Sequence, residues 1–252
     1  MFNPKILILL TILLISSSGC IFENTNNITI QEGILTIGVP YDLYPTVYFE
    51  DSSPKGFEID LITEIARRMG LHPKFKIYEF SSLLKAVEKN EIDCAVAFMT
   101  ITTEREKQVD FSRCYFQTYS TILVRENDSS TELKDLENRK VGVVAGSIHE
   151  SLMNGFMDDM NFELIPYENI REMHHDLLSG SIDAEIVQEV TSKEFIDLND
   201  PVKAIGGKID ISYIGIPLND ENHALRNEIN DVILEMENDG TLVQLKEKWN
   251  ID

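Results

Sequence analysis

Positive charge is scarce in this chain. Lys and Arg number 22 against 43 Asp and Glu, a formal net charge of −21 with a pI near 4.5. That balance argues against nucleic acid and against a basic membrane-surface patch, and it fits a solvated acidic exterior. Cysteine is nearly missing, with three in 252 residues. Outside the cytoplasm Cys94 and Cys114 could pair. Cys94, however, falls in the apolar stretch Ile92 to Phe98, where a thiol behaves as a small hydrophobe, so two separate buried thiols are expected. There is no nucleophile elbow, no phosphate loop and no metal-ligand spacing. His174 and His175 are neighbours that would point about 100° apart on a helix, a poor metal pair. No cofactor is expected.

Long apolar runs are also lacking, except at the start. Lys5 is the only charge before the run Ile6 to Ile15, and Ser16, Ser17, Ser18 and Gly19 then lead to Cys20. The run is short for a membrane span and reads as an export signal. Gly19-Cys20 resembles a lipobox, in which the Cys becomes the lipid-carrying first residue, although Ser17 stands where Leu is usual. An uncleaved N-terminal anchor is the other reading, and both place the folded part outside the membrane. Residues 21–31 are polar and Asn-rich and read as a tether.

The rest of the chain is long enough for one large domain or two small ones, and 43% apolar content is ordinary for a globular protein. Strand and helix signals alternate. Ile34 to Val39 reads as a strand. Phe57, Leu61, Ile65 and Met69 make one stripe of a helix that Gly70 closes. Phe75 to Phe80 reads as a strand, a helix runs from a Ser81 cap to Asn90, and Ile92 to Met99 is a buried strand. The pattern restarts with strand Val141 to Val144 and a capping box Ser147-Ile148-His149-Glu150. Strand Phe162 to Ile165, helix Arg171 to Ser179 and strand Ile182 to Val187 follow. The chain closes with helix Ala224 to Glu237 and a short helix carrying Trp249. Such alternation implies an α/β fold with parallel sheets covered by helices on both faces, in two lobes. The extended stretch Thr118 to Val124 lies between the two runs, and a second, Ile209 to Ile216, precedes the C-terminal helices.

Several short motifs carry chemistry. Gly56-Phe57-Glu58-Ile59-Asp60-Leu61 opens the first helix, and Met99-Thr100-Ile101-Thr102 leads to Glu104-Arg105. A lone Arg beside a helix start, among apolar neighbours, suits capture of a carboxylate. With Tyr44-Pro45, Val109-Asp110-Phe111-Ser112, Gly146-Ser147, Gly180-Ser181-Ile182-Asp183-Ala184, Asp239-Gly240-Thr241 and Lys248-Trp249, this series resembles the polar-amino-acid family of solute-binding proteins, family 3. These are extracytoplasmic receptors of ABC importers. The likeness spans about Ile34 to Asn250.

The resemblance implies a two-lobe, type II periplasmic-binding-protein fold with two parallel or mixed sheets flanked by helices and a hinge of two crossing strands. Lobe 1 would comprise 32–117 with 213–252, lobe 2 118–212, after a signal at 1–20 and the tether at 21–31. It also implies ligand-binding roles. Arg105 would clamp the ligand carboxylate with Thr100, Ser147 would contribute from the second lobe, and Tyr44 and Phe80 would form aromatic walls. Two positions depart from the pattern. Gln188 stands where amino-acid binders usually carry an Asp for the ligand ammonium, and Ile148 where Thr or Ser is common. Either another acid compensates or the ligand lacks a free α-ammonium. Glu189 is adjacent to Gln188, and Glu185 is more readily placed in an ion pair inside the lobe.

The implied partners are a small carboxylate-bearing solute, a polar amino acid or derivative above all, and a membrane permease. The protein itself would be monomeric, lipid-anchored at Cys20 and held outside the cytoplasm. The alternatives are a dehydratase acting on prephenate or arogenate, with Glu185 or Glu189 as acid, and a stand-alone sensory binding protein.

Overall fold

The computed structural model describes residues 27–251. The leader, Cys20 and the first part of the tether lie outside the described residues.

The first sheet grows around β1 (Ile34–Val39). The short hairpin β2 (Tyr48–Glu50) and β3 (Ser53–Lys55) precedes α1 (Phe57–Arg68), and β4 (His72–Ile77) then returns parallel to β1. α2 (Leu83–Glu88) leads to β5 (Cys94–Ala95), parallel to β1 on its other side, and to β6 (Asp110–Phe111). The α1 sequence places Phe57, Leu61, Ile62, Ile65 and Ala66 on one face, and all are fully buried. Each such side chain contributes roughly 1.5–3 kcal/mol of burial, Ala less. Gly56 at its start has φ 126°, and a Cβ there would lie 2.2 Å from the Thr46 carbonyl oxygen. Only glycine permits that approach.

The second sheet begins with the ten-residue β7 (Phe116–Arg125). Units β8 (Lys140–Val144), α3 (Ile148–Phe156), β9 (Glu163–Tyr167), α4 (Ile170–Ser179), β10 (Ala184–Gln188) and α5 (Glu189–Asp197) follow. β8 pairs in parallel with β9 and β10, whereas β7 runs antiparallel to β10. The long β11 (Val202–Ile214) pairs antiparallel with β7 over nearly its whole length. β12 (Pro217–Leu218) then rejoins the first sheet between β5 and β6. Finally α6 (His223–Asn238) and α7 (Thr241–Lys248) pack on α1, so Leu225, Ile229, Ile233 and Leu242 share one apolar core with Leu35, Ile37 and Leu61.

The sheet orders are therefore β4-β1-β5-β12-β6 and β11-β7-β10-β8-β9. Each is mixed, each carries helices, and the chain passes between them twice, before β7 and after β11. Phe116 and Ile214 are paired at that passage.

Several local expectations shift. Most of Thr118 to Val124 is the interior of the second sheet, because β7 pairs there with both β10 and β11. The strand expected through Phe80 ends at Ile77, and Phe80 opens a 3-10 turn ahead of α2. The cap expected at Ser81 moves with it: Ser82 flanks α2 and makes no side-chain cap bond. The buried strand expected to Met99 leaves its ladder early. After Val96 N–H donates to the Gly38 carbonyl, Phe98 adopts φ 48° and donates its N–H to Glu58 Oε2 at 2.7 Å. The carboxylate thus replaces a ladder partner and turns the chain end outward. Both thiols are free, as expected, but Cys114 is only half-buried and donates to the Phe116 carbonyl.

Candidate functional site

The outward-turned segment after β5, the 3-10 turn at Phe80 and the starts of α3 and α5 converge between the sheets. They enclose a cavity of about 50 Å³, room for roughly three to five water molecules. Phe80, Thr100 and Arg105 reach it from one side, Ser147, Ile148 and Gln188 from the other. Leu43, Phe98, Val144 and Ile170 add apolar wall, and Thr46, Ala97, His149 and Thr191 complete the lining.

Arg105 sits in a 3-10 turn, Arg105–Lys107. One guanidinium nitrogen donates to the Thr100 carbonyl at 2.8 Å, and the other donates across the cleft to the Gly146 carbonyl at 3.1 Å. Its Cζ lies 5.8 Å from the centre of the Phe80 ring. No acidic side chain pairs with it among the described residues. Burial holds its pKa down at about 10, the response of a cation that has lost water without gaining an anion.

Ser147 caps α3. Its Oγ accepts from Glu150 N–H at 3.3 Å, while the Glu150 carboxylate accepts from Gly146 N–H at 2.7 Å. The reciprocal arm of the expected capping box therefore lands one residue early. The remaining N–H groups of that helix start lie beside the cavity, a favourable end for negative charge. Gly146 has φ 71°, and a Cβ would lie 3.1 Å from Ser81 of the facing lobe, so the lobes are in contact here. Asp42 and Arg171 join them again with an ion pair at 2.5 Å.

Tyr44 is not brought to this cavity. It lines a neighbouring cleft with Asp42, Arg171, Glu194 and Phe195, packs on Tyr48 at 4.8 Å, and has its phenol pKa raised by burial and by Glu194. The preceding residue, Leu43, takes the wall position instead. Glu185 and Glu189 are absent from the lining too. Glu185 is fully buried inside its lobe and bonds His174 Nδ1 at 2.7 Å, the ion-pair placement expected for it. Glu189 faces a groove beside Phe116 and Tyr119.

Sequence reasoning missed His149, Phe98 and Leu43. His149 is buried, its Nε2 has no hydrogen-bond partner, and burial together with the Arg105 charge pushes its pKa down to about 3. It is therefore neutral. The one available signal was its place inside the capping box. Gln188 ends β10 without capping α5, and its Oε1 is buried and unpartnered.

Beneath the cavity floor, Glu58 is fully buried, with Tyr115 Oη on one oxygen and Phe98 N–H on the other. Burial raises its pKa to about 7. Between about pH 4.5 and 7 the native state then holds more protons than the unfolded chain, so this group's contribution to stability falls as pH rises. The fall is of order 3 kcal/mol over that window, at 1.36 kcal/mol per unit. Glu58→Gln mimics the protonated form. Its stability relative to wild type should climb from pH 5 to 7 and then level off in urea unfolding. Parallel stability curves would show that Glu58 does not titrate in that window.

The sequence profile of Bacterial extracellular solute-binding proteins, family 3, matches residues 35–252. The Arginine-binding extracellular protein ArtP of Bacillus subtilis (strain 168) is 28% identical over 218 residues, covering 85% of each chain. Among solved structures, an ancestral arginine-binding protein bound to arginine superposes with a TM-score of 0.82 at 33% identity, over 86% of this chain and 98% of that one. The ancestral amino acid-binding protein AncCDT-1, described as a precursor of cyclohexadienyl dehydratase, gives 0.81 at 27%, over 86% and 95%.

Proposed function

The chain belongs to the bacterial extracellular solute-binding proteins of family 3, and from that premise we propose that it is the capture component of an ABC importer. It takes up a small carboxylate-bearing solute, an amino acid or a derivative of one, between its two lobes. The observation that carries this reading is Arg105, a partly buried guanidinium with no acidic partner among the described residues. It stands where one lobe meets the other, beside the α3 start and the Phe80 ring. A carboxylate seated there receives a charge-assisted fork from lobe 1 and helix N–H groups from lobe 2. Only a ligand that touches both lobes favours the closed arrangement over an open one, and closure is what a permease can sense. The relatives reported above are binding proteins of arginine or amino acids by name, which supports the same class.

A lipid anchor at Cys20, following the export signal, would hold the protein at the outer face of the membrane. One mass measurement on protein taken from its own membrane tests both parts. It should find a chain beginning at Cys20 with lipid attached, and a small carboxylate released on denaturation. An intact Met1, or a soluble chain starting downstream, removes the anchor. A released solute without a carboxylate removes the ligand reading.

A further inference from the structure

The cavity is short of negative charge. Among the described residues no Asp or Glu lines it, and Arg105 is its one charged side chain. The acid one layer below, Glu58, is fully buried, has its oxygens bonded by Tyr115 and Phe98, and is not part of the lining. The polar groups that do face the space are uncharged. Gln188 and His149 are each at least nine-tenths buried, and each has a buried atom with no hydrogen-bond partner, Oε1 and Nε2 respectively. An amide offers one acceptor and one donor group, and so does a neutral imidazole. The remaining walls combine apolar side chains, Leu43, Phe80, Phe98, Ile148 and Ile170 among them, with the uncharged hydroxyls of Thr46, Thr100, Ser147 and Thr191.

A zwitterion in this space satisfies Arg105 with its carboxylate but leaves a desolvated ammonium without a counter-charge, beside a cation. Taking an ion out of water without a partner costs several kcal/mol. A basic side chain makes the same mismatch worse. An uncharged α-substituent, such as an amide N–H, a hydroxyl or a keto oxygen, needs only one or two hydrogen bonds, which the Gln188 amide and the His149 ring supply. Resting on the capture role proposed above, we infer that the site selects a monoanionic carboxylate with an uncharged polar α-substituent and an apolar body, and discriminates against free α-amino acids.

Calorimetry on the purified protein at one pH tests this with compounds built on one carbon frame: L-valine, N-acetyl-L-valine, 2-hydroxy-3-methylbutanoate and 2-oxo-3-methylbutanoate, with L-arginine added. At least one of the three uncharged-substituent compounds should bind tenfold or more tightly than L-valine and L-arginine. Which of the three binds best identifies the substituent. Gln188→Asp should reverse the order, with L-valine gaining and the analogues losing. Tighter binding of L-valine or L-arginine by the wild-type protein overturns this inference and leaves the carboxylate-capture role standing. Silence from all five compounds overturns both.

Discussion

Arg105→Ala should weaken capture of the tightest-binding compound by about 2–5 kcal/mol, a loss of roughly thirty- to several-thousand-fold in affinity. The fold should survive. The side chain's native bonds are to two backbone carbonyls, those of Thr100 and Gly146, and no buried acid depends on it. Removing a cation that is already short of water and of an anion relieves the free protein of that burden. What is lost is the bound state, in which a carboxylate would be left facing a helix start and apolar walls alone. Arg105→Lys keeps the charge but not the planar two-pronged geometry, so it should fall between the two. Calorimetry on the three proteins reads this directly. If Arg105→Ala binds as well as wild type, the carboxylate is held elsewhere and the guanidinium serves only to bridge the lobes.

Much of this arrangement was legible in the sequence, and the failures are local. Apolar patterning found β1 and β8 as short, nearly continuous apolar runs buried on both faces, and α1 and α4 as helical stripes closed by Gly70 and Gly180. Periodicity failed where the backbone leaves its ladder. Phe98 reads as one more apolar residue in a strand. What turns it is the carboxylate of Glu58, 40 positions earlier in the chain, a partner that no local pattern announces. Leu43 and Tyr44 show the same limit. Both are apolar-bodied residues in one loop, and which of them meets the cavity depends on the turn, not on residue type. Arg105, Thr100, Ser147 and Gln188 were named through the family resemblance, and all four line the cavity; taken alone, Arg105 reads as a surface ion pair, and Thr100 and Ser147 as ordinary caps. His149 went unnoticed because a histidine in the first turn of a helix carries no pattern of its own, and burial together with the Arg105 charge makes it neutral.

The largest expected loss of stability lies in lobe 2. His174 is buried between two acids: Nδ1 bonds Glu185 at 2.7 Å and Nε2 bonds Asp200 at 3.2 Å, with the ring stacked 3.6 Å from Phe195. Burial works to lower its pKa, but the two carboxylates win and the imidazole is held above its ordinary value. Glu185 has no exposure, and its second oxygen is unpartnered. His174→Ala therefore strands a buried carboxylate and opens a void beside Phe195. Breaking a buried pair from one side costs about 3–5 kcal/mol, enough to unfold a marginal lobe. The double variant His174→Leu with Glu185→Leu removes both charges and refills part of the space, and should recover most of the loss, since apolar replacements of buried pairs are often neutral. Urea unfolding of the wild type, His174→Leu, Glu185→Leu and the double variant closes the cycle. The consequence reaches the cavity because Glu185 and Gln188 share β10, so loosening the strand at one end should also weaken capture at the other. A loss below about 1 kcal/mol for His174→Ala would mean that Glu185 is satisfied without the imidazole. The pair would then be incidental to holding β10 in place.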